Sequence, residues 1–138
     1  MTKKLISFSI IALFCLSGCG KYSDVKSVIK DMTKAVNRCT EDIGKAKSGK
    51  EYAKAMDEYT DKMYALKPKL YGLFDKYPEL KNTYPDDLKK AMDDYKASET
   101  KWLEVFKSTA LQFKGDKDLD AAMQKFGKMN SETIYKKK

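Results

Sequence analysis

The chain has 138 residues, 28 Lys plus Arg against 20 Asp plus Glu, a formal charge of +8 and no histidine. Without an imidazole there can be no Ser-His-Asp or Cys-His nucleophile, no histidine acid–base catalysis and none of the usual zinc or haem ligand sets. The basic balance does not point to nucleic acid either. The lysines alternate with Asp and Glu along the chain, and Arg38 is the single arginine, whereas phosphate and base recognition favours clustered arginines.

Lys3 and Lys4 precede a continuous apolar run from Leu5 to Leu16, followed by the small residues Ser17 and Gly18 and then Cys19. The run is too short to span a bilayer, for which about 20 residues are needed, and its order of charge, apolar stretch and small residues is that of a secretory signal. Leu16-Ser17-Gly18-Cys19 resembles the lipobox of bacterial lipoproteins. The resemblance covers the signal segment only and implies that residues 1–18 are removed and that Cys19 becomes the lipid-bearing first residue. One acyl chain holds a protein marginally, at about 0.8 kcal/mol per buried methylene, and two or three hold it firmly. The expected location is the bacterial cell envelope. Gly20, where an Asp would favour inner-membrane retention, points to the outer membrane in a Gram-negative source and otherwise to the outer face of the plasma membrane.

Removal of the signal leaves residues 19–138, enough for one domain that buries a core without disulfides. Ser23 or Asp24 is the expected N-cap of a first helix, along which Val25, Val28, Ile29, Met32, Ala35, Val36, Cys39, Ile43 and Ala46 recur at three- and four-residue steps. Ser48 and Glu51 have capping-box spacing and open a second helix. Its apolar positions are Tyr52, Ala55, Met56, Tyr59, Met63, Leu66, Leu70, Leu73, Phe74 and Tyr77, and the period survives Pro68, which predicts a kink near Leu66–Lys69 rather than a break. Pro78 ends this helix or begins a short extra turn.

A third helix from Pro85 carries Leu88, Met92, Tyr95, Trp102, Val105, Phe106, Ala110 and Phe113 to a stop at Gly115. Leu103 and Leu111 lie off that face and predict a wider buried stripe. Asp116 or Asp118 starts a shorter fourth helix with Leu119, Ala122, Met123, Phe126 and Met129, ending at Asn130-Ser131. No segment alternates with period two for long. The expected fold is therefore all-α: an antiparallel up-down bundle of three long helices and a short C-terminal one, with Lys136-Lys137-Lys138 as a basic tail.

Few residues invite chemistry. Cys15 leaves with the signal and Cys19 takes lipid, so Cys39 has no partner for an intramolecular disulfide, and its register with Val36 and Ile43 points to a small buried hydrophobe, with an intermolecular disulfide as the alternative. Asp116-Lys117-Asp118-Leu119-Asp120 begins like a calcium loop, but Ala121 stands where that loop needs Gly and Gly127 where it needs a bidentate Glu. Helix capping explains the acids better. No catalytic residue, metal ligand or cofactor is assigned.

Tyr64 and Tyr71, seven residues apart, share a face of the second helix distinct from its apolar stripe and form the candidate partner-binding patch. The expected function is that of a lipid-anchored, non-catalytic binding module in the envelope: an adaptor, accessory subunit, inhibitor or immunity-type factor with a protein partner. The alternative is a carrier or sensor of an apolar ligand, lined by Met32, Met56, Met63 and Met92.

Overall fold

The computed structural model describes the backbone of residues 20–135 and the side chains of residues 20–132, so the signal segment, Cys19 and the Lys136–Lys138 tail lie outside the described residues. Four α-helices follow one another: α1 Ser23–Lys45, α2 Gly49–Lys76, α3 Asp86–Thr109 and α4 Lys117–Tyr135. Single turns of 3₁₀ helix at Pro78–Lys81 and Ala110–Phe113 link α2 to α3 and α3 to α4, and no strand occurs among the described residues. The protein is an all-α bundle.

Helix α1 forms because one side of it is apolar at every turn: Val25, Ile29, Met32, Val36, Cys39 and Ile43 are all buried. Thr40 is buried among them, and its hydroxyl is satisfied by donating to the carbonyl of Val36 (2.8 Å). Neither Ser23 nor Asp24 caps the helix. Tyr22 occupies that position without a side-chain cap, and Asp24 sits in the first turn, accepting from the Val25 amide (2.9 Å). Helix α2 starts as the spacing predicts: Ser48 Oγ accepts from the Glu51 amide (3.2 Å), and the Glu51 carboxylate accepts from the Lys47 amide (2.8 Å). The helix runs through Pro68 without interruption.

Specific contacts set the directions of the helices. Cys39 Sγ lies 3.9 Å from Met56 Sδ while Tyr22 packs on Tyr77, so α1 and α2 are antiparallel. Trp102 reaches Cys39 and Gly44 lies against Val105, which makes α3 parallel to α1. Lys125 pairs with Asp57 and Asp61, and Glu132 with Tyr64, which makes α4 parallel to α2. Successive helices thus alternate in direction, yet the closest packing is α1 on α2, α1 on α3 and α2 on α4. The seam between α3 and α4 is filled by rings rather than by close backbones. Trp102 stacks on Tyr59 (centroids 5.7 Å apart) and Phe106 (5.1 Å) and meets Phe126 (5.7 Å), while Tyr52 meets Phe106 and Phe113.

Two further expectations need correction. Leu103 and Leu111 do not widen the buried stripe of α3: they are 43% and 76% exposed, because only one side of α3 faces α1 and the aromatic seam. Helix α4 does not stop at Asn130-Ser131 but continues to Tyr135. The Ser131 hydroxyl donates to the Lys128 carbonyl, and α2 holds the segment through Lys67 to Asn130 Oδ1 (3.2 Å) and Tyr64 to Glu132 Oε2 (2.6 Å), so tertiary contacts override a polar stop signal.

At the end where α1 begins, a polar clasp joins it to the end of α2. Lys21 Nζ and the Tyr22 hydroxyl both donate to Glu79 Oε1 (2.7 and 2.8 Å), and Lys76 Nζ and the Tyr77 hydroxyl donate to Asp24 Oδ2 (2.8 and 3.2 Å). The Lys21 hydrogen bond is the main cause holding the Glu79 carboxyl down at about 2, and Lys76 likewise lowers Asp24. Both carboxyls have depressed pKa values in the fold, so their contribution is present above the ordinary carboxylate range and is lost as pH falls through the folded values, about 2 for Glu79. Lys76, raised to about 12 chiefly by Asp24, keeps its side of the clasp until pH rises through that value. Acidification from neutral pH toward 2 should therefore accelerate amide exchange in the first turn of α1, once intrinsic rates are divided out, before it does so at Val36 and Cys39. Equal protection loss at both places would refute this.

Candidate functional site

A groove of about 730 Å³ lies between α1 and α2. It exists because α3 and α4 cover only one side of the α1/α2 pair, leaving the other side to solvent. Its lining is apolar between the rims, with the small Ala35 and Cys39 from α1, the small Ala55 and Ala65 from α2, and the larger Tyr59 and Leu66 beside them. Charges of both signs line the rims, including Asp31, Lys34 and Asp42 on one side and Asp61 and Lys62 on the other. Arg38 crosses the mouth, with its guanidinium 3.3 Å from Glu58 Oε2 and 3.6 Å from Asp42 Oδ2. These side chains are 45–73% exposed, so the strap is a weak tie of at most about 1 kcal/mol that a ligand can displace.

Cys39 lies at the floor but is 3% exposed. Burial pushes its thiol up to about 11, opposed by the Trp102 indole N–H, which donates to Sγ at 3.3 Å. A thiol so placed has almost no thiolate at neutral pH and no access for a second sulfur. We expect Cys39 to resist alkylation at pH 8 in the native protein and to react within minutes in denaturant; rapid native labelling, measured by mass, would show that the groove floor opens.

Tyr64 and Tyr71 lie on the other edge of α2, toward α4 and α3. Tyr64 is 37% exposed, and its hydroxyl, with its pKa raised by the bond to Glu132, is already engaged within the molecule. Tyr71 is half-buried, its ring edge-on to Phe74 at 6.5 Å. The fold therefore does not bring the two tyrosines together with the groove. Of the four methionines, Met32, Met56 and Met63 are buried in the core and Met92 is half-buried beside Leu88 and Ala91; none lines the groove.

No group of three or more His, Cys, Asp or Glu side chains is arranged to hold a metal among the described residues. Asp116 instead caps α4, its Oδ1 accepting from the amides of Asp118 (3.0 Å) and Leu119 (3.1 Å). No described helix is long and apolar enough to cross a membrane.

Sequence reasoning placed Cys39, Tyr59 and Leu66 in the core and missed the groove they floor. The signal was present as charged residues at helical spacing beside each apolar stripe, Asp31, Lys34 and Arg38 on α1 and Glu58, Asp61 and Lys62 on α2. Nothing in the sequence said that these two flanks face each other across an uncovered side. Comparison of the chain with protein families, with curated proteins and with solved structures finds no match.

Proposed function

We propose that this protein is a lipid-anchored, non-catalytic binding module of the bacterial cell envelope, which takes an amphipathic helix of another envelope protein into the α1/α2 groove. The observation that carries this reading is the groove itself, an apolar floor in which Ala35, Cys39, Ala55 and Ala65 are small, between rims of mixed charge on α1 and α2. Small floor residues let a helix backbone approach closely, and its apolar stripe at i, i+3, i+4 and i+7 suits such a floor while its flanking charges meet the rims. The lipobox-like Leu16-Ser17-Gly18-Cys19 supports the anchor, and the lack of histidine supports a role in binding rather than chemistry.

The test is photocrosslinking in cells with the full-length protein, the crosslinker replacing Ala65 in the groove, Tyr64 on the opposite edge of α2, or Lys117 at the start of α4. We expect one dominant adduct from position 65, abolished when the Arg38 strap is retained but Ala35 is enlarged to arginine, and lost with Cys19→Ser. A dominant adduct from position 64 instead would move the contact to the Tyr64/Tyr71 face; adducts from all three positions, or from none, would refute a docking groove.

A further inference from the structure

The end of the bundle at which α1 begins sits within a few residues of Cys19, and this geometry constrains more than attachment. Gly20 is one residue from Cys19, and its carbonyl already accepts the Ser23 amide (3.0 Å), so the helical turn starts immediately. Tyr22 is 9% exposed, held edge-on to Tyr77 at 5.2 Å and bonded to Glu79, so this first turn is clamped to the end of α2. Gly20, where the turn begins, is one residue from Cys19, a reach of about 4 Å, less than the roughly 5–8 Å depth of one leaflet's headgroup zone. With Cys19 as the anchor, the described residues 20–22 leave no long spacer between lipid and bundle.

Gly20 also lies beside Asp87 at the start of α3. This places the connection from α2 to α3, with Tyr84 and Pro85, at the same end as the chain's exit toward Cys19. Tyr84 is 39% exposed, the one large hydrophobic side chain exposed at this end among the described residues; Leu103 and Leu111 lie along α3 and at the far tip. A tyrosine ring has an apolar body and a polar hydroxyl, the combination favoured at the boundary between lipid chains and water. Lys21, Lys76 and Lys81 are paired here with Glu79, Asp24 and Asp75, while Lys26 and Lys89, in the first turns of α1 and α3, are exposed. Asp86 and Asp87 add exposed negative charge. The charges at this end are thus close to balance, which suits a headgroup layer of no net charge.

We propose that the Asn82–Pro85 connection is a membrane-docking surface: Tyr84 inserts into the headgroup layer beside the acylated Cys19, and the bundle stands upright on the bilayer. The proposal rests on the anchor reading of Cys19. Helix α1 has 23 residues, which at 1.5 Å each carries the far tip, with Leu111, about 35 Å from the surface. The α1/α2 groove then runs along the membrane normal and is open to a partner from the side.

The experiment uses the lipidated full-length protein in phosphatidylcholine vesicles whose acyl chains carry bromine, a contact quencher of indole. Tyr84→Trp and Leu111→Trp are compared with the parent, whose Trp102 supplies a constant background. Flotation with the vesicles and intact mass establish the anchor independently. We expect the indole introduced at position 84 to lose about half its emission and the one at 111 to lose none, with no change on raising salt or adding anionic lipid. Equal quenching at both positions would mean that the bundle lies flat. An unquenched indole at 84 in a protein that is acylated and floats would also overturn the docking proposal. A protein that carries no acyl group and does not float would instead remove the anchor reading, and the docking surface with it.

Discussion

Trp102→Ala should lower stability by about 3 kcal/mol, a loss of roughly 10–20 °C in melting temperature for a domain of this size. The size of the effect follows from where the ring sits. Helices α3 and α4 do not pack closely by their backbones, and Trp102 joins them. It stacks on Phe106 of α3, reaches Phe126 of α4 and Tyr59 of α2, and donates its N–H to Cys39 of α1. One truncation therefore removes contacts to all four helices. Trp102→Phe separates the ring from the hydrogen bond. It keeps most of the stacking and should cost under about 1.5 kcal/mol, while removing the one group that lowers the Cys39 thiol, whose pKa should rise further. Denaturant unfolding of the two variants and thiol titration of the second check both statements. Equal stability losses for Ala and Phe would assign the effect to the N–H bond instead of the ring.

Gly49→Ala, at the first position of α2, should cost about 2–3 kcal/mol although alanine is ordinarily the better helix residue. A methyl group built on Gly49 would lie 2.1 Å from Cγ and 2.6 Å from Cβ of Asp116. The conflict reaches Cβ, so a change of rotamer cannot relieve it. The Asp116 carboxylate is also the cap of α4, and pushing it aside leaves the amides of Asp118 and Leu119 without their acceptor. In an Asp116→Gly background the same substitution should be nearly neutral, because the obstructing side chain is gone. If Gly49→Ala costs the same in both backgrounds, the close approach of the two helix starts is not the cause.

This pair of residues shows how far the chain can be read by eye. Ser48 is recognisable as a start and Gly115-Asp116 as a stop and a start, from local preferences for serine and aspartate at N-caps and glycine at C-termini. Gly115 does adopt a left-handed φ of 88°. That the two junctions touch, so that the glycine of one makes room for the cap of the other, is a property of the assembled bundle. Leu103 and Leu111 illustrate the converse. Their apolar character suggested burial, but burial depends on whether a second helix lies on that side, and none does.

By itself the sequence determined the four amphipathic stripes, the capping box at Ser48, the turn at Pro78, the lack of imidazole chemistry and the lipobox-like segment ahead of Gly20. All of these are written in spacings of a few residues, because 3.6 residues per turn and the orphan amides of a helix start are local constraints. Only the tertiary structure decided that α1 packs parallel to α3 and α2 parallel to α4, that aromatic rings span the α3/α4 seam, and that the groove opens between α1 and α2 away from Tyr64 and Tyr71. Helix pairing follows from how side-chain volumes from distant segments fill a shared space, and an apolar stripe specifies that it must be covered without specifying by what.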